Sequence, residues 1–111
     1  MKQTAQPVFD EVIHAPLRLR ICTHLGAVAN AEFAALRQDL EVADSVLSKH
    51  LKTLSDAGYV KITKARPKAG RPVTWAALTP TGKRALTNHI AALRALVAQA
   101  EGEMQAIRPH L

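Results

Sequence analysis

Ser45, Ser48, Lys49 and Lys52 follow one another at steps that keep them on one face of a helix, while Leu47, Leu51 and Leu54 fall on the opposite face. One side is then a surface of hydroxyls and ammonium groups, and the other must be buried. The polar side can donate hydrogen bonds and pair with anions. Lysine carries three donors and can meet guanine O6 and N7, whereas serine is adaptable and less selective. A single helix has the width of the DNA major groove; its first turns meet base edges and its later turns meet phosphate. On that geometry Ser45, Ser48 and Lys49 are candidate base readers, and Lys52 and Thr53 are candidate phosphate contacts. His50 lies on the flank between the two faces.

The charge balance points the same way. Fifteen Lys and Arg against nine Asp and Glu give a net charge of +6 in 111 residues. Such a surplus favours a polyanion, nucleic acid first. Four of the fifteen basic residues, Lys64, Arg66, Lys68 and Arg71, stand within eight positions. Gly70 lets that segment turn, and Pro72 follows Arg71. An arginine on an exposed hairpin suits the minor groove, whose negative potential deepens where it narrows. The plainer alternative is a solvated basic surface.

Other constellations offer less. Ser48, His50 and Asp56 have the residue types of a hydrolase, but on a helix positions 48 and 50 point about 200° apart and cannot share a proton. No nucleophile-elbow glycine pattern is present. His14, His24, His89 and His110 are scattered, with no close pair at metal-ligand spacing. Cys22, the only cysteine, sits among apolar residues of a helix and reads as a small buried hydrophobe; a redox-sensing thiol is the alternative. Tyr59 and Trp75 read as packing residues of paired strands, with a small-molecule pocket as the alternative. No metal and no cofactor are expected.

The elements that must hold these residues can be read in order. A chain of this length makes one domain, residues 1–111. A short turn or helix is expected around residues 7–14, then a helix over 15–24, because Ile13, Leu17, Ile21 and Leu25 step by four and Pro16 tolerates only a first turn. Asn30 reads as the N-cap of a helix over 31–40, and Asp44 as the N-cap of the helix over 45–57, closed by Gly58. The intervening turn, residues 41–43, has helix-turn-helix spacing. Residues 59–63 and 73–78 read as two strands of a hairpin with a basic tip. Thr79 and Pro80 open a last helix that continues to about residue 107, with Gly82 weakening its first turn.

That last helix has a seam of its own. Leu86, Ile90, Leu93, Val97, Ala100, Met104 and Ile107 alternate steps of four and three, the a/d pattern of a coiled coil. A seam of this length exceeds what a domain of this size can cover, so a second copy is the expected partner. Two recognition helices about 34 Å apart would then meet successive major grooves. No secretory leader and no stretch of about 20 apolar residues is apparent, and a single cysteine fits a reducing, cytoplasmic setting.

The segments HAPLRLRICTHL (14–25), SVLSKHLKTLSDAGYVKI (45–62) and GRPVTWAALTPTGKRAL (70–86) together resemble the winged-helix transcriptional regulators of the MarR and ArsR type. The resemblance covers roughly residues 8–95. It implies a mainly α fold with a β-hairpin wing: a helix-turn-helix at about 30–58, a wing at about 59–78 and a dimerisation helix at about 80–107. It further implies a dimeric, double-stranded-DNA-binding regulator with no membrane role, a repressor or an activator. Ser45, Ser48, Lys49 and His50 match the polar positions of the family's recognition helix, and Arg71 matches its wing-tip arginine. Thr79, Thr81 and Gly82 match a structural wing-to-helix junction. The cysteine pair of the metal-sensing branch is absent; Glu41-Val42-Ala43-Asp44 stands in its place. The reading chosen is a dimeric repressor. The alternatives are a winged-helix module for an acidic protein partner, or a ligand- or metal-responsive sensor with an effector of unknown identity. An enzyme has nothing in its favour.

Overall fold

The computed structural model describes residues 8–66 and 70–107. Helix α1, Glu11–His14, is a single turn. Asp10 caps it, its carboxylate accepting the Ile13 N–H at 3.0 Å. Pro16 then starts α2, Pro16–Gly26, and holds Ala15 in an extended conformation, which separates the two helices. One face of α2 places Ile21, Cys22 and Leu25 at the centre of the core.

The expected helix over 31–40 is shorter, and a strand precedes it. Ala31 and Glu32 form β1, pairing with Ala76 and Trp75. Helix α3 therefore begins at Phe33 and runs to Leu40, with Glu32 and not Asn30 at the N-cap. The reason lies elsewhere in the chain: the edge of the later strand Val73–Leu78 offers backbone partners to 31–32, and ladder bonds displace the first helical turn. Glu41 ends α3 in the left-handed conformation, φ 55° and ψ 51°. The Glu41 and Val42 N–H groups bond to the Gln38 and Arg37 carbonyls, a Schellman closure with glutamate where glycine is usual.

Helix α4, Asp44–Asp56, follows, with Ala43 at its N-cap. Asp44 is not the cap; its carboxylate pairs with the Arg37 guanidinium at 2.8 Å. A second Schellman closure ends α4, with Gly58 at φ 81° and the Tyr59 N–H bonded to the Leu54 carbonyl. Leu47, Leu51 and Leu54 are buried against α2 and the sheet. Strands β2, Val60–Ala65, and β3, Val73–Leu78, form the hairpin, with Val60 opposite Leu78 and Ala65 opposite Val73. The sheet is three-stranded, ordered β1-β3-β2.

Helix α5, Pro80–Ala106, opens at the Thr79 N-cap, whose hydroxyl accepts the Gly82 N–H and donates to the Gly58 carbonyl. Gly82 is a packing requirement more than a weakness: a Cβ there would stand 2.2 Å from the Tyr59 carbonyl oxygen. The base of α5 packs into the core through Leu86, and the rest projects away. The radius of gyration, 18.2 Å, exceeds the roughly 13 Å of a compact chain of this length. Among the described residues, no helix is long and apolar enough to cross a membrane.

Candidate nucleic-acid interface

The polar face of α4 is bare. Ser45, Ser48, Lys49 and Lys52 are all exposed, while the three leucines behind them are buried. Lys49 makes no ion pair among the described residues, and Lys52 lies 3.4 Å from Asp56, one turn on. Exposed pairs of this kind contribute only about 0.3–0.5 kcal/mol, so the ammonium can be recruited elsewhere. The Thr53 hydroxyl donates to the Lys49 carbonyl at 3.2 Å, yet keeps acceptor capacity and lies half-buried.

His50 is held rather than free. Arg18 donates to the Val12 carbonyl and to His50 Nδ1, the latter at 3.2 Å. A guanidinium only donates, so Nδ1 must accept and the neutral ring carries its proton on Nε2. Partial burial, then the charges of Arg18 and Lys49, keep the His50 pKa below the ordinary histidine value. His50 thus presents a neutral N–H donor at the flank of α4, aimed by a residue 32 positions away.

The wing stands beside this face. Lys64, Arg66 and Arg71 are exposed; Lys68 lies outside the described residues. Ser48 and Lys64 line the same groove of about 300 Å3, with Phe33, Leu51, Ile62 and Thr74 forming its walls. Helix and wing therefore make one continuous surface of hydroxyl and cation. Two exposed apolar residues of these elements were missed by the charge-based reading. Val46, 40% exposed, stands in the first turn of α4, and Ile62 stands on β2. The amphipathic wheel could have found Val46, which falls on neither the leucine side nor the lysine side.

The proposed α5 seam divides. Leu86, placed in a dimer interface by the heptad reading, is 8% exposed and packs in its own protomer's core. That is a correction, and its cause is the descent of α5 onto α2 and β3. Ile90 and Leu93 are half-buried, Ile90 against the core. Beyond them Val97 is 53%, Met104 70% and Ile107 76% exposed; Ala100 is also exposed, as is Leu96, which lies outside the heptad positions.

The histidines are not all scattered: His14 and His89 meet, with ring nitrogens 3.3 Å apart. Among the described residues no group of three or more His, Cys, Asp or Glu side chains is arranged to hold a metal ion.

Three recognisable parts, a helix-turn-helix, a basic two-strand wing beside it and a long C-terminal helix, define a winged helix. The chain belongs to the winged helix DNA-binding domain family, whose model matches residues 17–97. It is 31% identical over 80 residues to the uncharacterized protein MJ0432 of Methanocaldococcus jannaschii, covering 72% of this chain and 86% of that protein. Its structure is similar to that of a transcriptional regulator homologue from Pyrococcus horikoshii OT3, with a TM-score of 0.76, 25% identity and coverage of 82% and 89% of the two chains. A putative MarR-family transcriptional regulator from Enterococcus faecalis V583 shares the fold, with a TM-score of 0.67, 18% identity and coverage of 86% and 84%. The family is a DNA-binding one and not an enzymatic one.

Proposed function

We propose that the protein is a dimeric, sequence-specific transcriptional regulator, acting as a repressor by occupying its site. The observation that carries this reading is the bare polar face of α4, continuous with a basic wing, on a domain of the winged helix DNA-binding family. Ser45, Ser48 and Lys49 meet base edges in the major groove, with the His50 Nε2–H at the flank. Lys52 and Thr53 meet phosphate, and Lys64, Arg66, Lys68 and Arg71 follow the backbone into the minor groove. The far part of α5, from half-buried Leu93 through exposed Val97 and Met104 to Ile107 at its C-cap, pairs with a second copy. The names of the similar structures, regulators of transcription, support the role.

The test is a fluorescence-anisotropy titration against a duplex from the gene's own upstream region and against a scrambled duplex, at two salt concentrations. Selective binding by two protomers, weakening steeply with salt as phosphate contacts release about one counterion each, is the expected result. Equal, weak binding to both duplexes would leave only a basic surface.

A further inference from the structure

Helix α5 carries one side chain that the DNA-binding reading leaves unused. His89 is 0% exposed. Its Nδ1 receives the Asp10 backbone N–H at 2.9 Å, and its Nε2 lies 3.3 Å from His14 Nδ1. Because the backbone N–H must donate, His89 Nδ1 holds a lone pair; the neutral ring then carries its proton on Nε2 and donates it to His14. The network thereby assigns one tautomer to each ring. A cation between the rings would need a lone pair on His89 Nε2, which has none, so the contact is a hydrogen bond and not a metal site. The Phe9 ring covers both imidazoles, at centroid distances of 4.5 and 4.7 Å.

Asp10 is the hub of this cluster. One carboxylate oxygen caps α1 through Ile13, and the other accepts the Tyr59 hydroxyl. Tyr59 is the residue whose N–H closes the end of α4 and whose carbonyl receives the Thr79 N–H at the start of α5. Its phenol is pushed up to about 12, first by the bond to Asp10. A continuous hydrogen-bonded path thus joins the end of α4 to α5.

We propose that neutral His89 is a positioning residue for the DNA interface, holding α5 at a fixed angle to α4 through Asp10 and Tyr59. This rests on the DNA-binding reading above. A proton can enter His89 only at Nδ1, where it expels the Asp10 N–H and leaves a buried charge. The groups that face it are known. Asp10 and Glu11 favour the charge and His14 opposes it; Tyr59, at the corner after α4, is neutral and bonded to Asp10; α2 contributes Cys22, whose thiol feels the Asp10 charge. Burial first, then His14, keep the His89 pKa below the ordinary histidine value. A lowered pKa means that the latched form binds fewer protons than the released one. The latch is therefore complete above the ordinary histidine range, about pH 6.5, and weakens as pH falls below it.

The experiment compares wild type with His89→Asn, whose carbonyl can accept the Asp10 N–H and cannot titrate. Duplex affinity is measured by anisotropy at pH 8 and pH 5.5, with circular dichroism at both. Expected is a several-fold loss for the folded wild type in acid, bounded at about tenfold because pH 5.5 lies about one unit below the ordinary histidine value, and less than about twofold for the variant. Any effect of His50 protonation on DNA binding is common to both proteins and cancels in the comparison. Parallel losses in both proteins overturn the proposal, as does global unfolding of wild type at pH 5.5. Tyr59 is the only tyrosine, so its ring resonance reports the latch without DNA. It should move with acid in wild type and stay in His89→Asn; no movement overturns the coupling. If no duplex is bound at any pH, the DNA-binding reading fails, and this resonance still decides the latch. Should His89→Asn fail to fold, His14→Gln should raise the midpoint of the Tyr59 shift by removing the opposition of His14 to a charge on His89, and an unmoved midpoint overturns the proposal.

Discussion

Helices α4 and α5 are both amphipathic, and they leave opposite faces unused. In α4 the apolar face is entirely consumed by the protomer's own core, and the face left to solvent is polar and basic. In α5 only the base is consumed, through Leu86 and His89, and what remains exposed beyond residue 93 includes Leu96, Val97, Met104 and Ile107. A bare cationic face gains by displacing counterions from a polyanion. A bare apolar stripe gains by leaving water, at roughly 25 cal/mol per Å2. Two chemically different bare faces are therefore built into one short chain, one on each helix.

The difference can be broken from either side. The largest effect should come from the inner face of α4. Leu51→Ala removes a buried side chain and should cost about 2–5 kcal/mol of stability, read from chemical denaturation; a cost below 1 kcal/mol would mean that this face is not core. Next is Gly82→Ala, which drives a methyl into the Tyr59 carbonyl and should cost about 1–3 kcal/mol by the same measurement. Lys49→Ala should leave the melting temperature within a degree or two and weaken specific duplex binding by about 1–3 kcal/mol, with base preference relaxed. Loss of stability without loss of affinity would assign Lys49 to the fold. Arg71→Ala should weaken binding most on A·T-rich flanks; an equal loss on all sequences would make it a plain phosphate contact.

The smallest effect concerns the turn between α3 and α4. Glu41 adopts a left-handed backbone that glycine takes without penalty, so Glu41→Gly should stabilise the domain by about 0.5–1 kcal/mol, visible as a rise in melting temperature of a few degrees. Destabilisation would mean that the Glu41 side chain, and not its backbone, matters.

Much of this was legible in the sequence because it is local. The leucine and lysine faces of α4, the Gly58 stop and the Thr79-Pro80 start each depend on residues within a few positions of one another. What was not legible depends on distant partners. Residues 31–32 become a strand only because β3, more than forty positions later, offers an edge. Leu86 fits a heptad as well as it fits a core, since periodicity reports burial and not which chain does the burying. His14 and His89 are separated by 75 positions and meet only because α5 returns across α1. The tautomer of His50 is set by Arg18, from a different helix.

The most direct measurement is sedimentation velocity of wild type, Lys49→Ala and Val97→Glu, each alone and with its duplex. Expected are two protomers for wild type and for Lys49→Ala, with only wild type carrying the duplex tightly, and a single folded protomer for Val97→Glu that binds the duplex weakly. A wild-type protein that remains a single protomer and binds the duplex one to one would contradict the assignment of α5 to a second copy. A Lys49→Ala protein with undiminished selective binding would contradict the assignment of α4 to DNA.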